Sequence, residues 1–267
     1  MEINELQAKA QFLRKQVLEM CILAKTGHVS SCFSCTEILV ALYYAGILQK
    51  DDRFVLSKGH ASPLLYAILA DKGYFSEKEL WKFCRKDGKF GVHLQHDIPG
   101  VEITAGSLGY GLGIAAGMAL VKKKNNEPGT IYVLLGDGEC YEGAIWEAAM
   151  FTSHHSLNLV AIVDRNGLSA IDFTEKALRL NPLAKKWEAF GWAVRQPDGH
   201  SIPSLLNDLL YTKGRPLVIL AATVKGKGIP FIENRPLWHA RAPISREEIE
   251  QARKELDAKP EREENTA

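Results

Sequence analysis

Two short apolar runs constrain this chain more than anything else in it: residues 130–135 (TIYVLL) and 159–163 (LVAIV). Neither alternates apolar with polar residues, so neither suits a strand with one wet face. Continuous apolar strands fit a parallel sheet covered on both sides. Residues 143–155 between them are helix-like. The rhythm returns with a strand near Val194, a helix over residues 203–211 and a strand over 217–221 (LVILA). Strands alternating with helices imply an α/β fold, a three-layer sandwich with a central, mostly parallel sheet and helices on both faces. Ligands in such sheets sit at the carboxyl ends of strands, which points to the loops after Leu135 and Val163.

Those loops read Gly136-Asp137-Gly138 and Asp164-Arg165-Asn166-Gly167, with Asn166 29 residues after Asp137. A right-handed strand–helix–strand unit sets the two loops side by side. A carboxylate and an amide oxygen there make an oxygen-only site suited to Mg²⁺ or Ca²⁺, and Mg²⁺ combines a few protein oxygens with phosphates. Gly138 lets the backbone approach a diphosphate, and the N-terminus of the helix near Gly143 adds a favourable dipole. A Gly-Asp-Gly turn alone is common. Set between two buried strands, with an Asn after the second, it is far more specific.

Upstream, Leu6, Ala10, Leu13, Val17, Cys21 and Ala24 recur at steps of three or four, so residues 4–25 read as an amphipathic helix ended by Gly27. Further helices are expected from Thr36-Glu37 to about Tyr44 and over 62–69, with Pro63 in the first turn. Residues 106–120 read as a tight loop running into a closely packed Gly/Ala-rich helix. Residues 1–245 are expected to form one domain, and 246–267 a charged, exposed helix with a disordered tail.

Composition excludes several classes. Lys+Arg number 33 against 32 Asp+Glu, which leaves no basic excess for nucleic acid or an anionic membrane. The longest apolar stretch, residues 38–48, is too short to span a bilayer, and the charged N-terminus lacks a secretory h-region. Five cysteines in a chain this long do not suggest a disulfide framework, so a reducing cytoplasm fits. Cys32 and Cys35 read as small buried residues early in a helix, because the two further ligands of a zinc site are not evident. His154 and His155 read as packing or surface residues.

At this point the motifs align with a known family. GDGECYEGAIWEAAMF followed by LVAIVDRNGLSAID resembles the thiamine diphosphate fingerprint of the transketolases. TGHVSSCFSCTEIL, LSKGHASPLLYA and residues 91–113 (GVHLQHDIPGVEITAGSLGYGLG) resemble the family's first, second and third histidine segments in order. Phe190-Gly191-Trp192, Asp198-Gly199-His200 and TVKGKGIPFIENRPLWHARAP continue the match.

The resemblance implies a thiamine diphosphate-binding fold and residue roles. Asp137 and Asn166 would hold the metal by side chains and Leu168 by its carbonyl. Gly138 would contact the diphosphate, with Gly106, Ser107 and Leu108 flanking the cofactor rings. Ser31, His60, Lys225 and His239 would reach the cofactor or its phosphates, Lys225 being favoured over Lys227. Glu142 would link the two cofactor sites of a dimer. His28, His60, His93 and His239 would surround the reactive carbon. The cofactors implied are thiamine diphosphate and Mg²⁺, with Ca²⁺ or Mn²⁺ as substitutes.

The implied activity is transfer of a two-carbon ketol unit from a ketose phosphate to an aldose phosphate. Another donor and acceptor, or a non-catalytic subunit, are the alternatives. In the family a further domain supplies a glutamate that protonates the aminopyrimidine. It is expected here from a C-terminal partner subunit with the pyrimidine-binding domain, in a heterotetramer. The sequence departs from the family at Val29 (usually proline), at Tyr110 (often glutamine), at Arg165 beside Asn166, and in a segment before Leu159 one residue short.

Overall fold

The computed structural model describes residues 1–211 and 216–257. Five strands, β1 (Arg53–Leu56), β2 (Ile131–Gly136), β3 (Leu159–Arg165), β4 (Ala193–Arg195) and β5 (Leu217–Ala222), form one parallel sheet in the order β1-β2-β3-β5-β4. Strand side chains alternate between two cores. Tyr132, Leu134, Val160, Ile162, Leu217 and Ile219 face one core, and Val133, Leu135, Ala161, Val163, Val218 and Leu220 face the other. Both faces are apolar because both are buried, hence the unbroken apolar runs.

On the first face pack α1 (Ile3–Ala24), α2 (Val29–Ser34), α3 (Thr36–Tyr44) and α4 (Ser62–Asp71). The second face is covered by α5 (Tyr110–Asn125), α6 (Gly143–His154) and, after the single turn α7 (Thr174–Ala177), by α8 (Leu183–Ala189) with its fully buried Trp187. The first face is completed by α9 (Ile202–Leu209) and α10 (Arg246–Asp257). Each fully buried Leu, Ile or Val contributes about 1.5–3 kcal/mol to this arrangement.

Two differences from the sequence expectations stand out. β1 was not foreseen: with four residues, one of them the exposed Arg53, it is too short to declare a period. The C-terminal helix is not simply exposed. Ala252 and Leu256 of α10 are buried in the first core, and Arg253 pairs with Glu19 at 2.7 Å. The expected tail, from residue 258, lies outside the described residues. The loop-to-helix transition expected over residues 106–120 falls at Tyr110, where α5 begins. Gly109 precedes it with φ +92°, and a Cβ there would come within 2.7 Å of Glu142 Cβ.

The tight packing expected of this helix falls at Gly111, where an added Cβ would lie 2.2 Å from Ser57 Oγ and 2.9 Å from Ser57 Cα. Gly111→Ala is therefore expected to cost about 1–3 kcal/mol through overpacking. Gly113→Ala, with nothing within 4 Å of its added carbon, should be neutral or gain up to ~1 kcal/mol of helix propensity. Urea unfolding midpoints of the two variants check this; equal midpoints would refute the close contact between α5 and the segment after β1.

All five cysteines are free, and Cys32 and Cys35 are buried around the α2–α3 junction. Among the described residues no helix is long and apolar enough to cross a membrane.

Candidate functional site

The carboxyl ends of four neighbouring strands meet at one cavity of about 370 Å³. The segment after β1 contributes Lys58 and His60, that after β2 Asp137 and Gly138, that after β3 Asn166 and Leu168, and that after β5 Lys225. α2 adds Ser31, and His239 follows a 3-10 turn at Pro236–Trp238. The register pairs Gly136 with Asp164, so the two loops singled out from sequence do lie side by side.

Asp137 is buried, its carboxylate accepting N–H bonds from Gly167 (2.7 Å) and Gly138 (2.8 Å). Burial, and then the neighbouring Asp164, push its pKa up to about 6. That is the state of a carboxylate short of positive charge, which a divalent cation would relieve. Asn166 Oδ1 accepts from Leu168 N at 3.1 Å, and the Leu168 carbonyl receives a long bond from Lys225 Nζ at 3.5 Å. Carboxylate, amide and peptide oxygens together make the donor set of a hard cation completed by phosphate and water. Among the described residues no cluster of three His, Cys, Asp or Glu could hold a metal. Ser31 Oγ and His28 Nδ1 are buried without a protein partner, leaving two polar atoms for a bound molecule.

The four expected imidazoles, from four separate segments, form one cluster. His28 lies 5.2 Å from His60, 5.3 Å from His239 and 6.3 Å from His93 between ring centroids, and His60 lies 5.4 Å from His239. Burial, reinforced by neighbouring cationic groups, lowers His28 to about 4 and His239 to about 3, and holds His60 well below its usual value. These three rings are therefore neutral at pH 7. Burial also lowers Lys225, to about 8, and its Nζ sits 2.7 Å from His239 Nδ1. An ammonium only donates, so Nδ1 accepts and the proton of His239 is on Nε2.

Not every expected residue joins the cavity. Leu108 lines it, but Gly106 and Ser107 are exposed beside it. Glu142 is exposed at the start of α6, and His93 is exposed at the edge of the imidazole cluster. Arg165 does not line the cavity and donates to Asn181 at 2.7 Å. Lys227 is exposed, whereas Lys225 is buried. His154 and His155 meet edge to face, and His155 also meets Phe151 edge to face.

Several polar groups escaped sequence reasoning. Lys58 and Asp164 form an ion pair with almost no solvent exposure. Burial is the largest influence and opposes both charges, yet the attraction within the pair and the surrounding hydrogen bonds together outweigh it, so Lys58 is raised and Asp164 lowered. Glu139 is buried and accepts from Ser57 Oγ, Gly109 N (2.9 Å) and Gly136 N (3.1 Å), tying the loop before α5 to the Gly-Asp-Gly turn. His200 accepts from Val224 N at 2.8 Å and donates from Nδ1 to Glu37 at 2.9 Å. Glu37 is in turn held by Arg14 at 2.6 and 2.8 Å. This chain of contacts braces the segment leading to Lys225. The readable signal was a carboxylate ending a wholly apolar strand, LVAIVD.

Residues 7–265 match the family described as transketolase, thiamine diphosphate binding domain. The chain is 39% identical over 267 residues to an apulose-4-phosphate transketolase subunit of Actinobacillus succinogenes, covering 95% of this chain and 96% of that one. It is 40% identical over 249 residues to the 6-deoxy-6-sulfo-D-fructose transketolase subunit SqwG of a Clostridium species, covering 88% and 90%. The crystal structure of transketolase from Campylobacter jejuni matches with a TM-score of 0.89 at 30% identity, over 98% of this chain but only 44% of that one. Agreement over nearly the whole length, in sequence and in fold, places this chain in the transketolase family as its thiamine diphosphate binding domain.

Proposed function

We propose that this chain is the cofactor-holding subunit of a two-polypeptide transketolase, moving a two-carbon ketol unit from a ketose to an aldose, both phosphorylated or similarly charged. The observation that carries this reading is that His60 and His239 line the cavity with the oxygen donors of Asp137, Asn166 and Leu168, while His28 packs against both imidazoles, all three rings being neutral. Bound thiamine diphosphate supplies the electron sink that stabilises a two-carbon carbanion.

The chain's own residues do the rest. Asp137, Asn166 and the Leu168 carbonyl would hold Mg²⁺, and Gly138 would allow the diphosphate close to the backbone. Ser31, Lys225 and His239 supply donors to the cofactor's phosphates and to the sugar. The neutral imidazoles accept the proton lost by a donor hydroxyl as the carbon–carbon bond breaks. They return one to the acceptor carbonyl oxygen as the new bond forms. His239, its tautomer set by Lys225, presents an N–H to that chemistry.

Two observations support a second polypeptide. The relatives matched end to end are named as subunits. Apolar side chains also stand in solvent by the site: Ile171 and Leu178 line the cavity yet are 85% and 62% exposed, and Leu237, two residues from His239, is 87% exposed. We take the partner to be a C-terminal subunit with the pyrimidine-binding domain and its glutamate, the complex being a heterotetramer in which Glu142 lies at the contact between subunits. Gly106, Ser107 and Leu108 then flank the cofactor rings. The same relatives favour donors other than the common pentose phosphates, so branched and sulfonated ketoses belong in the screen.

The test is reconstitution. The purified chain alone should transfer no ketol unit, and adding a chain with the pyrimidine-binding domain should restore Mg²⁺- and thiamine diphosphate-dependent transfer. Steady turnover by rigorously purified chain alone would overturn the two-subunit reading.

A further inference from the structure

The buried ion pair beneath the cavity has no part in the roles above. Asp164 Oδ2 accepts from Lys58 Nζ, from Ser34 Oγ at 2.5 Å and from Asn166 Nδ2 at 3.3 Å, and Oδ1 accepts from Thr223 Oγ1. Lys58 Nζ also donates to the Ser31 carbonyl at 3.0 Å. The pair thus joins α2, the segment after β1, the end of β3 and the segment after β5, which also carry Ser31, His60, Asn166 and Lys225.

The consequence falls on Asn166. Its amide presents an oxygen on one side and an NH₂ on the other, nearly identical in shape, so the neighbours decide which way it faces. Asp164, paired with an ammonium, offers only lone pairs. A carbonyl turned towards it would set oxygen against oxygen, whereas the NH₂ makes a hydrogen bond. Ser34 Oγ, 3.5 Å from Asn166 Nδ2, donates its own proton to Asp164 and so presents a lone pair to Asn166 as well. Both neighbours therefore accept from the NH₂, and Oδ1 is left on the opposite side, by Leu168 N.

We infer that Asp164, held by Lys58, is a positioning residue that locks Asn166 with its carbonyl oxygen towards the cation and so sets the affinity of the metal site. This rests on the metal site proposed above. Hydrogen-bond partners of metal ligands commonly tune affinity in this way.

The probe is Mn²⁺, followed by electron paramagnetic resonance with thiamine diphosphate and the partner subunit present. Thiamine diphosphate-dependent Mn²⁺ binding by the wild-type complex tests the metal reading itself, and its absence would remove that reading. Given such binding, Asp164→Asn should weaken Mn²⁺ roughly 10–100-fold, because an amide in that place can face Asn166 with either end. Ser34→Ala removes a donor to Asp164 and the more distant of the two acceptors facing Asn166, but keeps Asp164 itself against the NH₂. It should weaken Mn²⁺ by less than about threefold, below the range usual for lost orientation. Adding Asn166→Asp to Asp164→Asn offers the cation an oxygen in either orientation, so affinity should return to within about fivefold of wild type. A purely structural role for Asp164 would leave the double variant as far below Asn166→Asp alone as Asp164→Asn lies below wild type, whereas an orienting role closes that gap. The inference is overturned if Asp164→Asn binds Mn²⁺ as wild type does, or if the folded double variant recovers nothing. Where the single variant fails to fold, the double variant decides alone.

Discussion

Replacing Asp137 by alanine is expected to weaken Mg²⁺-dependent thiamine diphosphate binding by about 3 kcal/mol or more, over ~100-fold in affinity. The proposed site has one anionic protein ligand, so no second carboxylate compensates. The side chain is buried and accepts two backbone N–H bonds, which makes loss of fold the competing explanation. Asp137→Asn separates the two. It keeps an oxygen acceptor and the shape of the loop but removes the charge, so it should bind the cofactor nearly as poorly as the alanine variant. Burial already raises the pKa of Asp137 to about 6, so loss of the charge offsets the one backbone N–H bond that the amide cannot accept, and the metal-free unfolding midpoint of Asp137→Asn should fall less than that of Asp137→Ala. Calorimetric titration with and without Mg²⁺, on preparations checked by thermal unfolding, reads both quantities. Cofactor affinity like wild type in both variants would remove the metal assignment, and Asn166→Ala should shift affinity in the same direction.

Equally large, but in rate rather than binding, is the effect expected at the imidazole cluster. His28→Ala or His239→Ala, assayed in the reconstituted complex, should lower kcat/KM by roughly 10²–10⁴, the usual worth of positioned acid–base groups. The physical ground is that the rings are neutral and mutually close. A neutral imidazole can accept a proton at pH 7 while its neighbour's N–H donates one. Cofactor affinity should change much less than in Asp137→Ala. His239 adds a dependence of its own, because Lys225 Nζ fixes its tautomer. A loss of less than about threefold in both variants would leave the cluster with a structural role only, well below the acid–base range.

How much of this was legible in the sequence differs from element to element. Two apolar runs without alternation were enough to imply a parallel sheet covered on both faces, because only doubly buried strands tolerate apolar residues at every position. The loops after them followed from the handedness of the crossover, and the pairing of Gly136 with Asp164 agrees. The order of motifs along the chain pointed to the family before any coordinate was needed.

Distances and charges were another matter. His28, His60, His93 and His239 come from four separate stretches of sequence, and nothing local says that the His28 ring comes within 5.2 to 6.3 Å of the other three. The neutrality of His28, His60 and His239 is a property of burial beside Lys225 and Lys58, which belongs to the packed cavity and to no single motif. Lys58 and Asp164 read as ordinary charged residues until the fold removes both from water and leaves each as the other's main source of stabilisation. Layered architecture, the end of the sheet that offers a ligand site and the residue types supplied there can all be read along the chain, because backbone periodicity and turn chemistry are local. Only the tertiary structure decided which of those residues touch, which are buried and which way Asn166 faces, because these depend on contacts between segments far apart in the chain.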